Sequence, residues 1–260
     1  MTPGQPALAA RLGIDAVLAA FRVHLRVAAI TPLAMVFALL TPLVYGIIVA
    51  SGSGRPGIAV IVGTGLAGMI GTIIPQSVIT ILQERTWLTL EQVALSQVGT
   101  ATILVGRLLA MTAHALAGLP VAWLVIVLLF GPVHVPSPGQ VLASIAVSAG
   151  GFLAVSLLIV GLLARRRYYA GMPNGLLPLL LLLSGVFVPA SALPWWLALP
   201  SRLLAPTWAM EGLRRLEAGR QAWPDIGIGA AVSVVTIALG VLYLRRLDHH
   251  MRTSPEAYLR

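Results

Sequence analysis

Six uncharged, predominantly apolar runs, each about as long as a bilayer is thick, dictate what this chain can become. They lie at 27–50, 57–82, 108–130, 141–164, 168–188 and 226–244. A membrane crossing needs about 20 such residues, and in hydrocarbon a helix is the structure that satisfies its own backbone polar groups within one segment. The expected fold class is therefore an all-α integral membrane protein with six transmembrane helices. Composition agrees: 58% of the 260 residues are hydrophobic and 10% are charged, whereas soluble domains carry about 25% charged residues. No internal repeat or soluble domain breaks the pattern, so residues 1–260 are expected to form a single transmembrane domain.

Six crossings place both termini on one side, and arginine shows which. All 17 basic residues are Arg; 12 fall on the side of the termini and 5 on the other. The positive-inside rule then puts both termini in the cytoplasm. A net charge of +9 suits a surface facing anionic lipid. The arginines are scattered between apolar runs rather than gathered on one face, which argues against nucleic acid as a partner. With no cysteine, disulfides and thiol chemistry are excluded. The segment MTPGQPALAARLGIDA lacks a basic start followed by a short apolar core, so no cleaved signal peptide is expected. The fifth run, holding Pro173 and Pro178 and closed by Pro189, is expected to be kinked or re-entrant.

Two segments outside the runs carry their own pattern. Residues 8–28 predict an amphipathic helix in the cytoplasmic interface: Arg11, Asp15, Arg22 and Arg26 share one face, with Ile14, Val17, Phe21 and Leu25 adjoining it. The outer segment 189–225 holds Trp195, Trp196, Trp208 and Trp223, the pattern of a headgroup belt. Within it Thr207 is expected to cap a helix ending near Ala218, stopped by Gly219 and supported by a Glu211–Arg215 pair. This predicts a structured outer hairpin, serving either interfacial packing or substrate contact.

Absent chemistry narrows the function. A chain without Lys has no G-x-x-x-x-G-K-[ST] phosphate loop, so any ATP hydrolysis of that class belongs to another subunit. All eight carboxylates lie outside the six runs, whereas an ion-coupled secondary transporter usually keeps one near the midplane. His114 is the ionisable residue well inside a run, either a polar pathway residue or a hydrogen-bonding partner between helices. Ser184 with His114 is the one pairing that an intramembrane serine hydrolase would use. Adjacent His249 and His250 point different ways on a helix and make a poor metal site. In GTGLAGMIG (63–71), Gly63, Ala67 and Gly71 are spaced to let helices approach closely.

The stretch ILQERTWLTLEQVALSQVG, residues 81–99, interrupts this apolar chain with a bounded, charged helix. Thr89 to Gln92 has capping-box spacing and Gly99 is a natural stop, which predicts a cytoplasmic helix over 90–98. A turn would serve as a connector; a short rigid helix suits a push from a partner. The segment resembles that of type-2 ABC transporter permeases, where Glu-Arg after the second span leads through Thr-Leu-Glu into the coupling helix. LLLLSGVFVPASALPWWLALPSRLLAPTWAMEGLRRL likewise resembles the fifth span and outer hairpin of that family. One position departs from the pattern: Leu88 stands where a Gly is usual.

The resemblance implies that Glu84, Arg85, Thr89, Leu90 and Glu91 couple the chain to an ATP-binding cassette ATPase subunit, which would bind ATP and Mg. It implies that Ser184, Gly185, Phe187, Pro189, Pro194, Trp195 and Trp196 form the outer hairpin or gate. It further implies a second permease, identical or related, a setting in the bacterial cytoplasmic membrane, and export of amphiphilic drug-like or lipid-like substrates. No cofactor, metal or catalytic residue is expected in this chain.

Overall fold

A computed structural model describes residues 5–53, 56–86, 99–165 and 172–253. Among the described residues all regular structure is helical. The helices are α1 (Gln5–Ile30), α2 (Pro32–Ser53), α3 (Ile58–Thr86), α4 (Thr100–Ala115), α5 (Gly118–Phe130), α6 (Pro138–Arg165), α7 (Met172–Leu183), α8 (Trp195–Ser201), α9 (Ala205–Glu217) and α10 (Trp223–Thr253), with a 3-10 turn at Ala190–Ala192.

Four stretches are long and apolar enough to cross a membrane: Ile58–Ile79, Ala101–Phe130, Pro138–Leu163 and Trp223–His249. Two shorter apolar helices, Ala38–Ile48 and Asn174–Leu183, fall within the first and fifth expected runs. The first run, expected from residue 27, is divided. Helix α1 extends to Ile30, Thr31 turns the chain by donating its hydroxyl to Val27 O at 2.7 Å, and Pro32 opens α2 where a missing N–H costs nothing. The third run breaks as well. Pro120 has no N–H for the Leu116 carbonyl, and Leu119 N bonds it instead at 3.1 Å, with Ala117 N on His114 O at 3.1 Å.

Helix α3 is the axis of the molecule. In its most apolar 18 residues 89% are buried, against 22% in the corresponding 18 residues of Ala101–Phe130 and of Trp223–His249, so the other helices surround it. It packs on α2, α4, α5, α6, α7 and α9, while α10 lies chiefly on α6 and α1 on α4. Three of its hydroxyls are satisfied within the helix, Thr64 donating to Val60 O, Thr72 to Gly68 O and Ser77 to Ile73 O, which removes a polar cost from the core. The glycines of 63–71 admit close neighbours, but different ones. A Cβ at Gly63 would stand 3.1 Å from Val186 O, and one at Gly71 would stand 3.2 Å from Thr41 of α2. Eight residues separate them by about 12 Å along the axis and about 80° around it, so they cannot serve one contact.

Candidate functional site: the hairpin junction

The fifth expected run, 168–188, holds helix α7, described from Met172 to Leu183. Its helix ends at Leu183. Ser184 is fully buried, its N–H bonds Leu180 O at 2.9 Å, and its hydroxyl donates to Leu181 O at 3.1 Å. Gly185 then takes φ +72, a left-handed conformation that glycine adopts without a Cβ penalty. The chain that follows is buried at Val186 and crosses α3 over Gly63, with Met210 of α9 beside it.

A helix end leaves carbonyls without partners, and here the hairpin supplies them. Leu183 O receives the Ser201 hydroxyl at 2.7 Å and lies 2.9 Å from the Thr207 hydroxyl, which also lies 2.8 Å from Ser201 O. Both side chains are buried. Thr207 therefore ties α9 to α7 instead of capping its own helix. Helix α9 begins at Ala205 behind Leu204, with no side-chain cap and Pro206 in its first positions, where proline is preorganised. Its end is a Schellman motif: Arg220 N bonds Arg215 O at 2.9 Å and Gly219 N bonds Leu216 O at 3.0 Å, with Gly219 at φ +73.

The last turn of α9, Leu213-Arg214-Arg215-Leu216-Glu217, sends three charged side chains to three elements. Arg214 donates to Gly185 O, beyond α7. Arg215 Nη1 lies 3.2 Å from Asp225 Oδ2 in the first turn of α10, so its partner is Asp225 and not the Glu211 that i,i+4 spacing suggests. Glu217 Oε1 accepts the Ala59 N–H at 2.8 Å, at the start of α3. Gln140 of α6 adds a fourth tie, donating to Gln221 Oε1 at 2.8 Å and accepting Ala222 N–H at 2.7 Å. Burial lowers the Arg214 guanidinium from its ordinary value, opposed by the nearby Glu211 and Glu217 carboxylates; a guanidinium still stays protonated. The junction thus draws together the ends of α3, α6, α7 and α10, and local spacing named none of its pairings Arg215–Asp225, Glu217–Ala59 and Gln140–Ala222. A cluster of charges closing an apolar hairpin was their one visible signal.

The other residues expected at the outer hairpin lie at its start and in its first helix. Phe187 meets Tyr45 of α2 with ring centroids 5.1 Å apart. Pro189 precedes the 3-10 turn and accepts Ala192 N–H at 2.9 Å, and Pro194 O receives Leu197 N and Ala198 N, each at 2.9 Å. Trp195 and Trp196 are 82% and 58% exposed, and Leu199, Leu203 and Trp223 are exposed as well. The Trp208 indole N–H donates to Arg202 O at 2.8 Å.

His114 lies in the last turn of α4, half-buried, and its Nε2 is buried with no hydrogen-bond partner. Since the Ser184 hydroxyl donates to Leu181 O, Ser184 and His114 are not joined as nucleophile and base. Glu84 and Arg85 fall in the last turn of α3. Thr89, Leu90 and Glu91, and the helix expected over 90–98, lie outside the described residues. Among the described residues no group of three or more His, Asp or Glu is arranged to hold a metal ion.

Residues 16–218 match the sequence model of a family described as ABC-2 type transporter. No curated protein and no solved structure matches the chain.

Proposed function

This chain belongs to the ABC-2 type transporter family, and from that premise we propose that it is the permease subunit of an ATP-driven exporter. Its substrates on this proposal are amphiphilic, drug-like or lipid-like molecules taken from the cytoplasm or inner leaflet. One observation carries the proposal: the family match runs from the middle of α1 to the end of the hairpin helix α9. It covers the apolar bundle through α9 and leaves α10 outside.

Four long apolar helices make the chain a multi-pass membrane protein. On the proposal, α2 and α7 complete a six-span domain over 1–260, with both termini cytoplasmic, as the arginine asymmetry supports. Helix 90–98 would dock on an ATP-binding cassette ATPase, with Thr89, Leu90 and Glu91 at its start and Glu84 and Arg85 at the end of α3. A second permease, identical or related, would complete the path. ATP and Mg act in the ATPase subunit, and this chain turns its closure into a change of exposure. Hairpin 189–225 would close the outer side, with Ser184, Gly185, Phe187, Pro189 and Pro194 shaping its entry. Trp195 and Trp196 would seat it at the headgroups, and His114 would be the polar residue of the pathway. The greasy spans favour amphiphiles over hydrophilic cargo, though fold alone fixes no substrate.

The test uses inverted membrane vesicles holding this chain and its ATPase, with ethidium as probe. ATP-dependent, vanadate-sensitive accumulation that survives a protonophore is expected. Accumulation driven by a pH gradient without ATP would instead make the protein a secondary transporter.

A further inference from the structure

Helix α3 begins without a side chain able to cap it. Gly57 O accepts the Ile61 N–H at 3.3 Å, which makes Gly57 the capping position, and glycine has no oxygen to offer the amides that follow. The Ala59 N–H is one of those orphan donors. Glu217, 158 residues away in sequence, reaches it at 2.8 Å. Gly57 is what lets it do so: a Cβ there would overlap the Glu217 carboxylate, standing 2.8 Å from its Cδ. A negative charge at a helix N-terminus is favoured by the aligned peptide dipoles, so the contact is charge-assisted.

A further contact fastens the same elements, and another ties α9 to the segment that crosses α3. Val186 O and Met210 Cε lie against Gly63, 3.1 Å and 3.3 Å from where its Cβ would be, and Arg214, three residues before Glu217, holds Gly185 O. The hairpin thus grips the first turns of α3 at two levels. At its other end α3 carries Glu84 and Arg85. Its 29 residues, with Pro75 inside the helix, run about 43 Å, and Ile58–Ile79 is mostly buried among the neighbouring helices.

We propose that Glu217 is a positioning residue that latches the hairpin to the N-terminus of α3, so that motion of α3 is delivered to the hairpin through this latch. The transmission rests on the permease proposal above; the latch itself does not.

The experiment is hydrogen exchange by mass spectrometry on the full chain in nanodiscs with its co-purifying ATPase, with and without ATP plus vanadate. The variants are Glu217→Ala, Gly57→Ala and Glu217→Gln. In Glu217→Ala and Gly57→Ala the Ala59 amide is expected to exchange about tenfold faster than in wild type, while Glu217→Gln, which keeps an acceptor oxygen, stays close to wild type. Trapping with ATP plus vanadate is expected to change exchange across residues 190–201 in wild type and Glu217→Gln, and to leave it unchanged in Glu217→Ala and Gly57→Ala. A Glu217→Ala variant with wild-type Ala59 exchange overturns the latch. A hairpin response that persists in that variant, or is missing from wild type, overturns the transmission. If no ATPase co-purifies, the permease proposal fails, and the Ala59 comparison still decides whether the latch exists.

Discussion

One open carbonyl explains why two hydroxyls sit buried in an apolar hairpin. Leu183 O is shared by Ser201 and Thr207, so either alone is able to satisfy it. Ser201→Ala and Thr207→Val are each expected to destabilise by about 1 kcal/mol, and the double variant by about 3 kcal/mol, because only then is a buried carbonyl orphaned. A double-mutant cycle by thermal unfolding in detergent measures this, and strictly additive values would contradict the shared-acceptor account. The same contacts show what the sequence concealed. Spacing rules see partners three or four residues away, and so Arg215 was matched with Glu211; its actual partner, Asp225, lies beyond a Schellman turn. Glu217 and Ala59 are separated by 158 residues, a distance over which no local rule operates. Gly219 was legible as a stop because its signal is its own backbone.

At the scale of elements, proline and glycine were the readable punctuation. Pro173 and Pro178 marked the fifth run as irregular, yet α7 runs through Pro178 to Leu183, and it is Gly185 with its positive φ that turns the chain. Pro120 carried the same information for the third run, where apolar continuity through residue 130 concealed the break that its missing N–H produces. The partner of α1 was not legible, since amphipathic periodicity names a face without naming what covers it. The structure lays α1 on α4, where a Cβ on Gly106 would be 2.6 Å from Val17 O and 2.8 Å from Ala20 Cβ. Backbone cannot yield there as a side chain tip would. Gly106→Leu is therefore expected to pry α1 away, costing about 1–3 kcal/mol and speeding limited proteolysis within α1 about tenfold. Unchanged cleavage would show that α1 is not held at Gly106. A second close crossing joins α5 to α2: a Cβ on Gly118 would meet Ala38 O at 2.9 Å and Pro42 Cγ at 3.0 Å. Gly118→Val is expected to lower thermal stability in detergent by about 1–3 kcal/mol, and a neutral effect would mean the crossing is looser than the structure has it.

At the scale of the whole molecule, the described residues gather around a buried central helix with the hairpin junction at its N-terminal end and Glu84 and Arg85 in its last turn. The class was readable because hydrocarbon permits few solutions; the centrality of α3 was not, since its glycine-rich sequence is no more apolar than that of its neighbours. What makes it central is six packed partners around small residues. If the chain is a permease subunit, force from a nucleotide-driven partner enters near residues 84–98 and reaches the hairpin along α3. The direct test is co-purification from the native host in detergent, wild type beside a variant carrying Leu90→Arg and Glu91→Arg, with ATPase activity measured on what binds. The account predicts an ATP-binding subunit that accompanies the wild type and is lost from the variant. Equal recovery with both chains, or no nucleotide-binding subunit with either, would contradict it.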